Sequence, residues 1–128
     1  MPNIEEKAQV VAEIKEKFQN STGVVLADYR GLTVTQVTQL RAQLREAGVE
    51  YRVLKNTLVR RAAQEVGIEG LEPYLEGPTA VAFSTDPVAG AKILSEFAKT
   101  SKNFVIKAGV VEGKVINEAG VKALADLP

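Results

Sequence analysis

The chain has 128 residues, 45% of them hydrophobic, and its 16 Lys and Arg balance 16 Asp and Glu, for a formal charge of zero and a pI of about 6.3. With no Cys and no His there are no disulfides, no thiolate metal sites, no Cys nucleophile and no Ser-His-Asp triad. No apolar run approaches the roughly 20 residues of a membrane span, the N-terminus does not read as a signal peptide, and a single domain is expected at this length.

Ile4, Val11, Ile14 and Phe18 recur at helical spacing, so residues 4–20 read as an amphipathic helix. Gly23 to Tyr29 is mostly apolar and suits a buried strand. Thr33 is an N-cap candidate for a helix whose stripe is Val34, Val37, Leu40, Leu44 and Ala47, with Gly48 as its stop. Val49 to Lys55 alternates as a second strand, and Asn56 is expected to cap a short helix that Gly67 ends. Residues 70–76 read as a helical turn or two before the breaker Gly77-Pro78, and Thr79 to Ser84 as a strand. Asp86-Pro87 is expected to open the next helix, with Pro87 at its first position. Phe104 to Val111 is a strand, Glu112-Gly113 a turn, Lys114 to Ile116 a return strand, and Asn117 the cap of a last helix.

This order predicts an α/β (α+β) sandwich in one domain, residues 1–128. Two βαβ units in series form a mixed or antiparallel ferredoxin-like sheet, with extra helices at the N-terminus, middle and C-terminus. A doubly wound parallel sheet is the competitor, disfavoured by the hairpin signal at Gly113.

Zero net charge conceals a division. All six arginines, together with Lys55, fall between Tyr29 and Arg61, where the only acids are Glu46 and Glu50, so this window carries +5. The remainder, nine lysines against 14 acids, carries −5. Arginine presents a planar fork of donors suited to phosphates and base edges. The window is either a solvated face that pairs with acids of other segments or a phosphate-binding face.

Within it, the helix from Asn56 has its charges reversed against the helix dipole, with Lys55, Arg60 and Arg61 early and Glu65 late. An anion held by the amides of Thr57 and Leu58, the Thr57 hydroxyl and the flanking cations removes that conflict. Arg41 and Arg45 lie side by side on one shoulder of their helix, near Val34. Gly31 in Tyr29-Arg30-Gly31 lets backbone approach a ligand, while Tyr29 either stacks on a base or fills the sheet end. Both βαβ-type topologies bring Arg30 and Lys55 to one face. There is no P-loop, dinucleotide fingerprint or metal-ligand spacing, and nothing assembles a nucleophile with a base, so no enzyme, cofactor or metal is expected.

The elements Tyr29-Arg30-Gly31-Leu32-Thr33-Val34, Leu40-Arg41 with Leu44-Arg45 and Gly48-Val49, and Lys55-Asn56-Thr57-Leu58 closely resemble the family of bacterial large-subunit ribosomal protein ten, the stalk-base protein. The likeness extends through Gly77-Pro78-Thr79 and the Phe104 strand. It implies a cytoplasmic structural protein of the ribosome. Its N-terminal domain docks on large-subunit rRNA beside a neighbouring stalk-base ribosomal protein. In the family a C-terminal helix carries the acidic stalk protein dimers that recruit translation GTPases, and that helix is expected to be absent from this chain. It assigns Arg30, Gly31, Arg41, Arg45, Lys55, Asn56, Thr57 and Arg60 to the rRNA face, with Arg61 joining by charge. The alternatives are a translational repressor binding its own messenger leader, and a protein-interaction module with a basic face.

Overall fold

Gly23–Asp28 and Thr79–Ser84 are runs of small and apolar residues, and every residue in both is buried. Such continuous burial requires cover on both faces of a sheet. In a computed structural model of the chain these segments are β1 and β3. The structure describes residues 4–29, 31–75, 79–86, 88–101 and 103–126. The other elements are α1 (Ile4–Asn20), α2 (Val34–Glu46), β2 (Glu50–Leu54), α3 (Asn56–Glu65), a 3-10 turn (Glu72–Tyr74), α4 (Ala89–Thr100), β4 (Val105–Val111), β5 (Lys114–Asn117) and α5 (Glu118–Ala125).

The strands run in the order β2-β3-β1-β4-β5 with every neighbour antiparallel. Strands β1 and β2 are therefore parallel and flank β3, while β3 and β4 are parallel and flank β1. Two split βαβ units interleave, as in ferredoxin-like sheets. The expected two-unit sheet is present in its antiparallel form. Strand β5 extends it through the two-residue turn Glu112-Gly113, both at positive φ (51° and 83°), the turn type whose twist suits a hairpin.

One face packs α1 and α3 against Val24, Leu26, Val81 and Phe83, closed by Ile68, Leu71 and Leu75 from the segment after α3. The other packs α2, α4 and α5 against Val25, Ala27, Ala82 and Ile106. Ile14, Leu26, Leu40, Leu44, Leu94 and Val121 are fully buried. Each is worth roughly 1.5–3 kcal/mol of transfer free energy. Among the described residues no helix is long and apolar enough to cross a membrane.

Thr33 caps α2 through a reciprocal capping box with Gln36, and Asn117 caps α5 by accepting from the Gly120 amide at 2.9 Å. Two expected helix starts move. Lys55, not Asn56, is the N-cap of α3, because the Asn56 side chain turns inward to Thr79 instead of back to its own helix. Asp86 caps a turn that precedes α4, accepting from the Val88 amide at 2.9 Å, and the helix begins at Ala89; Pro87 lies outside the described residues.

Candidate nucleic-acid interface

Strand register gathers several of the predicted residues at one end of the sheet. Ala27, Ala80 and Val53 stand in one row, and Leu54 pairs with Thr79 in the next. The chain therefore leaves β1 toward Gly31 and leaves β2 toward Lys55 at the same end. With β3 between them, the two strands are about 10 Å apart. Gly31 sits at φ +83°, and a Cβ there would fall 2.8 Å from the Asn103 side chain, whose Nδ2 donates to the Gly31 carbonyl at 3.2 Å. This glycine therefore has a structural reason of its own: it lets the β1–α2 loop turn tightly against the start of β4. Arg30 lies outside the described residues.

Lys55 and Thr57 are exposed at the start of α3, where no side chain caps the helix and no acid occupies the first turn. The amides of Leu58 and Val59 both turn back to the Lys55 carbonyl at 3.1 Å. The Leu58 amide expected to face an anion is thus already engaged. Asn56 lies beneath this start. Its Oδ1 accepts from the hydroxyl of Thr79, a residue only 1% exposed, and the same hydroxyl accepts from Lys107 Nζ at 3.1 Å. Lys107 reaches it because β4 bulges there: Leu26 pairs with Ala108 and Ala27 with Ile106, leaving Lys107 as the extra residue. The Asn56–Thr79–Lys107 chain ties the start of α3 to two strands. Residue-type patterns missed it, although a lysine inside the apolar run of β4 was a visible signal.

The second group lies along the flank of edge strand β2. Arg41 and Arg45 project from exposed positions of α2, and the Arg41 guanidinium lies 5.8 Å from the ring centre of Tyr51 on β2. The Tyr51 hydroxyl is pushed up from its ordinary 10.0 to about 12, because burial penalises the phenolate; Arg41 opposes that shift and nearby Tyr29 adds to it. Arg41 and Tyr51 are thus close neighbours. Tyr51 is a member of this flank that sequence reasoning did not single out.

Ion pairing divides the basic window. Arg52 meets Glu13 at 3.5 Å and Arg61 meets Glu65 at 3.2 Å, where Lys15 also arrives at 3.3 Å. Those contacts hold the Glu65 carboxyl below its ordinary value, the Lys15 hydrogen bond contributing most. Arg61 is therefore engaged within its own helix. Arg60 is half-buried, and its Nε has no hydrogen-bond partner among the described residues. Arg41, Arg45 and Lys55 enter no ion pair among the described residues.

A groove of about 1110 Å³ opens on the opposite flank of α2, against α4 and α5. Its rim carries Glu46, Glu96 and Asp126 beside Lys92, Lys99 and Lys122, a balance that gives an anion no preference. The basic surface and this groove are separate.

Comparison with known proteins supplies the family. The family model described as "Ribosomal protein L10" matches residues 2–99. The chain belongs to this family. It is 58% identical over 126 residues to large ribosomal subunit protein uL10 of Shouchella clausii, covering 98% of this chain and 76% of the relative. Identity to the uL10 of Symbiobacterium thermophilum is 63% over 126 residues, covering 96% and 70% respectively. For the Staphylococcus aureus uL10 it is 58%, covering 98% and 76%. As a member of the L10 family the chain is a ribosomal protein of the large subunit, structural and not enzymatic, working in the cytoplasm on the ribosome among ribosomal partners.

Proposed function

We propose that residues 1–128 form one rRNA-binding domain that docks on large-subunit rRNA at the stalk base, beside a neighbouring ribosomal protein. The observation that carries this reading is the pairing pattern: Arg41, Arg45 and Lys55 are exposed without an ion-pair partner among the described residues, while Arg52 and Arg61 are engaged by glutamates. Three cations left to water, one at the end of β2 and two along its flank, suit an anionic polymer even in a neutral chain. Lys55 and Thr57 at the α3 start take phosphate, with Asn56 placing that start and Gly31 shaping the adjoining loop. Arg41 and Arg45 extend the contact along the β2 flank. Arg30 joins on the strength of its sequence motif, and Arg60 and Arg61 are secondary. Attachment of the acidic stalk dimers belongs, by family resemblance, to a C-terminal helix.

The test is a titration of the stalk-base rRNA fragment against salt. Lys55→Ala and Arg45→Ala each weaken binding and reduce the slope of log K against log salt by about 0.7–0.9. Arg61→Ala leaves the slope close to that of the parent chain. Slopes unchanged in both Lys55→Ala and Arg45→Ala would refute this face.

A further inference from the structure

Two valines stand exposed beside the arginines without a structural reason: Val34 at 84% and Val53 at 45%. At 100° per residue Val34, Arg41 and Arg45 share one shoulder of α2. Val53 is two residues beyond Tyr51, so both face the same side of β2. The Arg41–Tyr51 contact joins these two rows into one surface. Its composition is apolar and planar at the centre, with Arg45 and Lys55 toward its two ends, and no acid of the window lies among these residues.

We infer that this surface is a stacking site for an unpaired nucleobase, in which Tyr51 holds the Arg41 guanidinium as a plate and the base lies on its outer face, against Val53 and Val34. The inference rests on the RNA-binding reading above and gives Arg41 a different task within it from that of Lys55 and Arg45. A nucleobase combines a flat, weakly polar face with a phosphate on either side, and the surface offers both complements in that arrangement. A phosphate contact alone leaves the valines and the aromatic ring unused. A stable protein partner requires roughly 1,000 Å² of buried surface, well beyond two valines and a half-covered tyrosine. Paired RNA buries its base faces, so the ligand is an unstacked base in a loop or bulge.

The experiment compares two RNAs: the stalk-base rRNA fragment, and a fully paired duplex of equal length. Arg41→Lys keeps the charge and removes the plate. It should weaken binding to the fragment about tenfold, within the range for loss of one stacked base, with little change in salt slope and no change on the duplex. Tyr51→Leu should do the same, with a thermal melt to check folding; if it fails to fold, Arg41→Lys still decides. Binding of the fragment by Arg41→Lys at parent affinity overturns the site. An equal loss on both RNAs also overturns it, because the arginine is then gripping phosphate. A parent chain that binds neither RNA removes the RNA-binding reading itself, whereas parent binding with indifferent variants removes only the stacking site.

Discussion

Replacing Thr79 by valine removes one hydroxyl and keeps the shape. Thr79 is 1% exposed on β3, donates to Asn56 Oδ1 and accepts from Lys107 Nζ at 3.1 Å. Valine deprives the asparagine carbonyl of that donor and the ammonium of that acceptor at part-buried positions. A buried polar group left short of a partner costs roughly 1–3 kcal/mol. For a chain of this length each kcal/mol lowers the melting temperature by about 3–5 °C, so a drop of several degrees is expected in a thermal melt. RNA affinity should fall as well, because the start of α3 that carries Lys55 and Thr57 loses its tie to the sheet. Since no phosphate contact is deleted, the salt slope should stay at the parent value. A Thr79→Val chain that melts and binds like the parent would refute the claim that this network positions the helix start. A changed slope would show that Thr79 acts on RNA directly.

The remaining predictions use other parts of the structure. Gly31→Ala should destabilise more than Gly48→Ala. Both glycines have positive φ, 83° and 75°, and share a left-handed cost of roughly 1–2 kcal/mol. Only at Gly31 does a Cβ meet a side chain, Asn103 at 2.8 Å, so equal melting temperatures in the two variants would contradict the close approach. Gly109→Ala should also destabilise, by about 1–3 kcal/mol of overpacking, because its Cβ would lie 3.0 Å from both Val121 and the Val24 carbonyl; a chemical denaturation midpoint at the parent value would count against it. Tyr51 should ionise about two pH units after an ordinary tyrosine, from 10.0 to about 12. Its neutral form is favoured by the fold, so that contribution to stability is whole below pH 10 and is lost as pH rises toward 12. A phenolate absorbance titration in which Tyr51 ionises near 10, in a chain still folded, would contradict its burial.

Sheet and helices were largely legible because their signals are local. Continuous apolar runs at Gly23–Asp28 and Thr79–Ser84 mark strands covered on both sides, and Glu112-Gly113 marks the hairpin that excludes a parallel sheet. The Thr33 and Asn117 caps were legible for the same reason. Asn56 looks like a cap from its neighbours in sequence, but a side chain that finds a buried partner in Thr79, 23 residues away, leaves its own helix end. The fate of each cation was hidden likewise. Arg52 reaches Glu13 across 39 positions, a pairing decided by α1 packing beside the sheet. Composition can count charges but not tell which are already engaged. The bulge at Lys107 depends on the register of β1 against β4, which no single strand displays.

Neutrality overall and affinity for an anionic polymer are compatible once range is considered. At physiological salt, fields between exposed charges fade over about 8 Å. The acids elsewhere in the chain cancel the net charge that would draw RNA from a distance, while those beyond that range screen an exposed cation little. Binding should then depend on the few cations actually in contact. Arg41, Arg45 and Lys55 are the unpaired ones among the described residues of the window whose side chains are exposed. Three such contacts imply a salt slope of about 2–3 before Arg30 is counted. If Arg41 serves a base, the electrostatic share is smaller still, and the balance must come from stacking and from the fit of a preformed surface to folded RNA. A neutral domain gains specificity from this division: with little charge to hold arbitrary nucleic acid, it binds firmly only where shape and an unpaired base coincide.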